Sequence, residues 1–268
     1  MARQSSSDFV EALARGLAII TAFSPTATEL SVSDAAALTS LPRPTARRLL
    51  MTLERLGYVR SNDGVYTLTT KVLELGTTYV AALGIWELAR PHLEALVAQT
   101  GESSSMSQLD GSDIVYVARV AVPKIIAIAV HIGTRFPAIA TSMGHVLLAD
   151  LSRDELTMVL RTPSQSGIIP RVSLPRRELD HELALVRQQG WAVSDERLSL
   201  GIRSIAAPVR DASGRTVAAV NVTVHAAETS VRELKNHHLP LLLETAANIT
   251  EEWANLARLP VPDPFERS

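Results

Sequence analysis

"LPRPTARRLLMTLERLGYV", residues Leu41 to Val59, sets two prolines just ahead of a cluster of arginines at the front of a predicted helix. Ala46, Leu49, Leu50, Leu53 and Leu56 recur at helical spacing and form the stripe that such a helix would bury. Pro44 is tolerated in the first turn, where a backbone N–H lacks an intrahelical partner in any case. Arg43, Thr45, Arg47 and Arg48 then project from the end turned away from the leucines. Five arginines against one glutamate lie between Ser40 and Arg60, and their mutual repulsion needs relief. Phosphates supply that relief, and an arginine can also read a guanine edge with two hydrogen bonds. A merely solvated basic face is the alternative.

The flanking residues favour the nucleic-acid reading. Asp8 is positioned to cap a helix running to Phe23, with Phe9, Leu13, Leu17 and Ile20 on one stripe. "SPTATEL" reads as a loop, and Ser31 or Ser33 caps a short helix, "DAAALT", that stops before Leu41-Pro42. Gly57 ends the third helix, and Asn62-Asp63-Gly64 between two short extended runs is a hairpin signal. Three helices plus a hairpin outline a winged helix-turn-helix, whose third helix enters the major groove. Arg60 and Asn62 on the wing are placed to touch the DNA backbone, so the candidate DNA contacts are Arg43, Pro44, Thr45, Arg47, Arg48, Arg60 and Asn62.

Beyond residue 70 a helical pattern broken at Gly84 and Pro91 predicts a connecting helix and then a second one. Hairpins follow about Asp110-Gly111 and Asp211 to Gly214, with a strand at "IIAIAVHI". Helices are predicted at "ATSMGHVLLADL", "RDELTMVLR" and "RRELDHELALVRQQG", with a long last one over Thr229 to Leu256. The expected organisation is 1–70 as the winged domain, 71–85 as linker helix, 86–258 as an effector-binding domain and 259–268 as a loose tail.

Composition narrows the function classes. The 268 residues suit two domains, and 46% hydrophobic with 20% charged residues is ordinary globular composition. A formal charge of −2 offers no whole-protein case for a polyanion, so the argument for DNA is local. With no cysteine, disulfides and zinc-cysteine sites are excluded. No apolar run is long enough to span a bilayer and "MARQSSSDF" lacks a signal-peptide core, so a cytoplasmic protein without membrane partners is expected. There is no G-x-S-x-G elbow, P-loop, G-x-G-x-x-G or H-E-x-x-H, and the adjacent His237-His238 point to different sides of a helix. The expectation is a non-enzyme with no metal and no cofactor; catalysis in a C-terminal pocket is the rival.

"SLPRPTARRLLMTLERLGYV", "ELARPHLEALVAQTGES", "LDGSDIVYVARV", "GTRFPAIATSMGHVLLAD" and "SDERLSLGIRSIAAPVRDASGRTVAAVNV" resemble, in order, segments of the isocitrate-lyase-regulator (IclR) family of bacterial transcription factors. "ARGLAII", "TARRLL", "GTRFPAIATSMG" and "VAAVNVTVHA" are most similar to a subgroup that controls protocatechuate and 4-hydroxybenzoate catabolism through the β-ketoadipate pathway. The resemblance implies an α+β chain: a winged helix-turn-helix, a connecting helix, and a C-terminal α/β domain with a mainly antiparallel, GAF-like sheet. It implies a homodimer, or a dimer of dimers, on an inverted-repeat operator, with β-ketoadipate, protocatechuate or 4-hydroxybenzoate as the class of effector. Members of the subgroup are often activators, and others in the family repress.

Two segments are candidates for the effector site. Thr141, Ser142, Met143 and Gly144 stand where a loop meets a helix, and free N–H groups with a hydroxyl and little bulk suit a carboxylate. An N-cap with a glycine for close packing is the simpler alternative. In "VAAVNVTVHA", alternation sets Asn221, Thr223 and His225 on one face and three valines on the other. The resemblance implies that this face lines the effector cavity, making Asn221 and Thr223 contacts. It also points to Ser204, where some relatives carry cysteine, and to Asp195 in an acidic stretch. Arg119 and Arg135 are possible counter-charges. The mechanism expected is linkage, the connecting helix carrying effector binding to the spacing of two DNA-reading heads. A regulator with a degenerate pocket and no effector is the remaining alternative.

Overall fold

A computed structural model describes residues 9–24, 26–72, 75, 85–123 and 130–256. The chain divides into two compact units, Met1–Ala82 and Leu83–Ser268.

In the first unit α1 (Glu11–Thr21) is followed by β1 (Glu29–Ser31), α2 (Val32–Thr39), α3 (Arg43–Arg55), β2 (Val59–Asn62) and β3 (Val65–Leu68). Ser31 starts α2 with a reciprocal cap: Asp34 N donates to Ser31 Oγ (3.2 Å), and Ser31 N to Asp34 Oδ2 (3.0 Å). Ser40 ends α2 in the left-handed region, and Pro42 precedes α3 without a side-chain cap, with Pro44 in its first turn. Positive φ at Asp63 (49°) and Gly64 (82°) closes β2 onto β3 in the two-residue turn that matches strand twist. Ile19, Leu30, Ala46, Leu50, Leu53 and Tyr66 fill the core.

Three local expectations change. Val10, not Asp8, precedes the first helical turn and gives no side-chain cap; Asp8 lies outside the described residues. Phe9, Leu13 and Leu17 are exposed, because α1 turns Ile19 inward and half-buries Ile20. Leu56 is exposed at the end of α3, and Glu29 and Leu30, within the predicted loop, pair with β3 as part of β1.

The second unit runs α4 (Ile85–Thr100), β4 (Ser103–Asp110), β5 (Asp113–Val120), β6 (Arg135–Pro137), a 3₁₀ turn (Ala138–Ala140), α5 (Ser142–Ala149), α6 (Arg153–Arg161) and α7 (Arg176–Gln189). It continues with β7 (Ala192–Asp195), β8 (Ile202–Arg210), β9 (Thr216–His225) and α8 (Leu239–Leu256), which a short helical turn (Val231–Glu233) and a π turn (Leu234–His238) precede. The strands form one antiparallel sheet in the order β6-β5-β4-β9-β8-β7. Alternation divides its side chains between two cores. Met106, Ile205, Ala207, Val220, Val222 and Val224 pack with apolar residues of α4 and α8. Ala192, Ala206 and Ala219 pack with α5 and α7.

Pro91 does not break α4, because the carbonyl it leaves unbonded, that of Glu87, is on the exposed side. β6 and β7 are strands that the sequence reading did not assign; at three and four residues they are too short to show alternation. The linker helix, the tail and most of the strand expected at 125–132 fall outside the described residues; 130–132 carry no strand. Among the described residues no helix is long and apolar enough to cross a membrane, and no His/Cys/Asp/Glu group could hold a metal ion.

Candidate DNA-reading face and ligand cavity

The amphipathic pattern of α3 sends Ala46, Leu50 and Leu53 inward and leaves Arg43, Pro44, Arg47 and Arg48 exposed, with Thr45 half-buried. No acidic residue offsets the positive helix end in the first turn of α3. Among the described residues no carboxylate pairs with Arg43, Arg47 or Arg48. Helix end and guanidinium groups therefore add to one positive field that suits phosphate. On the wing, Arg60 and Asn62 are exposed, and Arg60 Nε is steadied by Thr67 Oγ1 of β3 at 3.1 Å.

The second unit holds a cavity with about 540 Å³ of empty space, its opening included. Its polar wall comes from residues in two rows across the sheet, whose β4 members, Ser105 and Ser103, are fully buried and do not line it. In one, Arg119 of β5 lies beside Ser105, and Ser105 beside Asn221. In the other, Thr223 is flanked by Ser103 and Ser204, and Ser204 by Ser194. Tyr116 and Arg119, three apart, would normally face opposite ways on a strand. Ser107 pairs with Tyr116 and Met106 with Ala118, so the bulge at Val117 returns both side chains to the cavity face.

The polar groups are mostly engaged. Asn221 accepts from Ser105 N (3.1 Å) and donates to Thr223 Oγ1 (3.0 Å), while Ser194 Oγ donates to the Ala140 carbonyl (3.0 Å). At the other wall Thr141 caps α5 by accepting from Gly144 N (3.0 Å), and Ser142 Oγ meets Ser204 Oγ at 2.7 Å. Met143, Val130, Phe136, Leu198 and Ile202 line the space between, and Phe136 stands edge-on to Tyr116 with centroids 5.6 Å apart. Burial raises the Tyr116 phenol to about 12, keeping it a neutral O–H, and lowers the Arg119 pKa from its ordinary high value.

The structure thus gathers Thr141, Ser142, Met143, Ser204, Asn221 and Thr223 at one cavity. Gly144 and Asp195 are not among its lining residues. A Cβ at Gly144 would lie 2.0 Å from the Ala138 carbonyl oxygen, so this glycine lets α5 rest against the preceding 3₁₀ turn. Asp195 is paired with Arg203 at 2.7 Å and has a side chain 46% exposed. Of the two counter-charges, Arg119 reaches the cavity, whereas Arg135 pairs with Asp110 (2.7 Å) and Asp113 (3.3 Å). Tyr116, Phe136, Ser194 and Leu198 were not singled out from sequence. For Tyr116 the only signal would have been the bulge, which leaves no local mark in composition.

Next to the cavity, His145 of α5 is buried: Nε2 lies 2.9 Å from the Ile139 carbonyl and Nδ1 3.4 Å from Glu182 of α7. Arg197 grips the same carboxylate with two bonds, at 2.5 and 2.6 Å. This cluster ties α5, α7 and the loop carrying Leu198 together.

A winged helix-turn-helix with a bare basic recognition helix, in one chain with an α/β unit enclosing a cavity, defines a DNA-binding regulatory protein. The chain belongs to the IclR family of bacterial transcriptional regulators: residues 12–63 match the IclR helix-turn-helix domain, and residues 77–251 match the bacterial transcriptional regulator IclR C-terminal domain. It is 37% identical over 246 residues to the Pca regulon regulatory protein of Pseudomonas putida, spanning 91% of this chain and 84% of that protein. A transcriptional regulator from Rhodococcus sp. RHA1 has the same fold (TM-score 0.81, 47% identity), covering 92% of this chain and 100% of that one. The inducer-binding domain of Acinetobacter PobR, solved as a double mutant with 3-hydroxybenzoic acid, aligns at TM-score 0.55 and 32% identity over 61% of this chain and 96% of its own.

Proposed function

We propose that this transcriptional regulator is switched by a small aromatic hydroxy acid of the 4-hydroxybenzoate or protocatechuate class, or by the related β-ketoadipate. The observation that carries the reading is the make-up of the cavity among the described residues: an apolar middle, hydroxyls and an amide around it, one guanidinium, and no carboxylate in the lining. A wall without acids suits an anion, because no like charge faces it. Support also comes from the hydroxybenzoic acid in the PobR domain and from the regulon in the name of the Pseudomonas relative. Thr141, Ser142, Met143, Ser204, Asn221 and Thr223 serve as contacts, with Gly144 and Asp195 shaping the site from outside the wall.

On the DNA side, Arg43, Pro44, Thr45, Arg47 and Arg48 enter the major groove of an inverted repeat, and Arg60 and Asn62 touch its backbone. The working form is a cytoplasmic homodimer or dimer of dimers, with 1–70 as reading head, 71–85 as linker, 86–258 as sensor and 259–268 as tail. Effector and operator affinities are then reciprocally linked.

Selection of genomic fragments on the purified protein, with and without 4-hydroxybenzoate, protocatechuate and β-ketoadipate, tests this. Enrichment of one palindrome with a ligand-dependent change is expected; enrichment that no acid alters would remove the sensor half of the reading. Arg47→Ala and Arg48→Ala should each weaken operator binding and lower the salt slope by about one unit if the contact is to phosphate. Unchanged binding in both would displace α3 from the groove.

A further inference from the structure

The two polar walls of the cavity differ in chemistry and lie on different strands, which bears on how a ligand sits between them. On β5, Arg119 carries five N–H donors and gives one to Ser105 Oγ at 3.0 Å. Among the described residues no carboxylate pairs with it; Tyr116 beside it in the cavity is a neutral phenol, and the buried Ser105 that accepts from it is uncharged. On β8, Ser204 and the α5 residue Ser142 share a hydroxyl–hydroxyl bond, in which each oxygen keeps acceptor capacity and one proton can turn elsewhere. β5 and β8 are separated by β4 and β9, so three strand spacings, roughly 14 Å between backbones, lie between the two walls. An arginine side chain reaching inward covers part of that separation, and the remainder matches the length of one ring with a substituent at each end. Met143, Phe136, Val130, Leu198 and Ile202 are apolar surfaces available to that ring.

We infer that the cavity binds its acid in one orientation, with the carboxylate on the Arg119 guanidinium and the ring hydroxyl on the Ser142–Ser204 pair. Arg119 is thereby a specificity-determining residue, selecting a carboxylate over a neutral isostere. The inference rests on the sensor reading above and adds polarity to it. At the α5 N-terminus, the other place for an anion, Thr141 Oγ1 already takes up the Gly144 N–H, and Ser142 there belongs to the hydroxyl end. Charge-assisted hydrogen bonds are the stronger kind, and the planar fork of an arginine fits a carboxylate at two points.

Calorimetric titration of the full-length protein with 4-hydroxybenzoate, 4-hydroxybenzamide and benzoate reads both ends. Wild type should bind the acid on the order of tenfold or more tighter than the amide, the range for losing a hydrogen bond to a charged group. Arg119→Gln should erase that preference, the acid losing more affinity than the amide, and Arg119→Lys should retain part of it. Ser204→Ala should instead bring 4-hydroxybenzoate close to benzoate and keep the preference for acid over amide. If Ser204→Ala erases the acid preference and neither Arg119 variant does, the ligand sits the other way round and the inference is wrong. Equal wild-type affinity for acid and amide also overturns it, but leaves a sensor of aromatic phenols. Failure of wild type to bind any of the three, or protocatechuate or β-ketoadipate, removes the sensor reading itself. The comparison of acid with amide in wild type requires no folded variant.

Discussion

Gly144→Ala tests the packing that places the start of α5. The added Cβ would come to 2.0 Å from the Ala138 carbonyl oxygen and 2.5 Å from that residue's C and Cα atoms, where ordinary contact begins near 3.4 Å. The shortfall is more than an ångström, and the obstacle is backbone, not a side chain that can swing aside. Gly144 itself has no left-handed φ, so the cost is steric alone. Either α5 shifts or the 3₁₀ turn gives way; both are buried, and overpacking of this kind costs about 3 kcal/mol, the upper part of its usual range. For a unit of this size that lowers its melting temperature by roughly 6–12 °C. Calorimetry of the full chain, with the two units fitted separately because a two-domain protein is not two-state, should show the loss in the second unit alone. A melt unchanged to within a degree, with hydroxybenzoate binding lost, would make Gly144 a ligand contact and refute the packing argument. If melt and binding were both unchanged, the close approach of α5 to Ala138 would be refuted.

Two further perturbations address other parts of the chain. Ser31→Ala removes the oxygen that accepts from Asp34 N and helps hold the Asp34 carboxyl below its usual range, so the first unit should lose about 1 kcal/mol by denaturant titration while the second is unaffected. Acidification should destabilise the second unit from near pH 6.5 downward. Burial depresses the His145 pKa below the ordinary 6.5, so its stabilising contribution is complete above that value and fades as the unfolded chain gains the proton first. Hydrogen bonds from Arg197 depress Glu182 below 4.5, extending the loss into acid. His145→Gln should flatten the stability slope between pH 7 and 5.5, and an equal slope in both proteins would sink this assignment.

Local chemistry made most elements legible. The alternation of β9, the turn residues Asp63-Gly64 and the glycine that closes α7 at Gly190 each act within a few residues, so composition reveals them. The exposed arginines of α3 were legible for the same reason: one helix carries both the buried stripe and the exposed charge. The errors arose where a distant partner decides. α1 has two apolar faces to choose from, and packing chose Ile19 over Leu13, which remains 63% exposed. Pro91 signalled an end to α4, but the helix continues, because the freed carbonyl lies outward and tertiary burial of Ala89 and Leu93 holds both sides.

The sequence by itself determined a winged helix-turn-helix with a basic recognition helix, two long hairpins, and the polar face of β9, since each depends on periods of 2 or 3.6 residues and on caps and turns. Only the tertiary structure decided which polar residues share a cavity. The order β5-β4-β9-β8 brings Arg119, Asn221, Thr223 and Ser204 together from distant parts of the chain. The bulge at Val117 turns Tyr116 and Arg119 to the same side, and ion pairs hold Arg135 and Asp195. Strand order, bulges and ion pairs reflect which surfaces meet and what charge they find there, and those are properties of the packed chain.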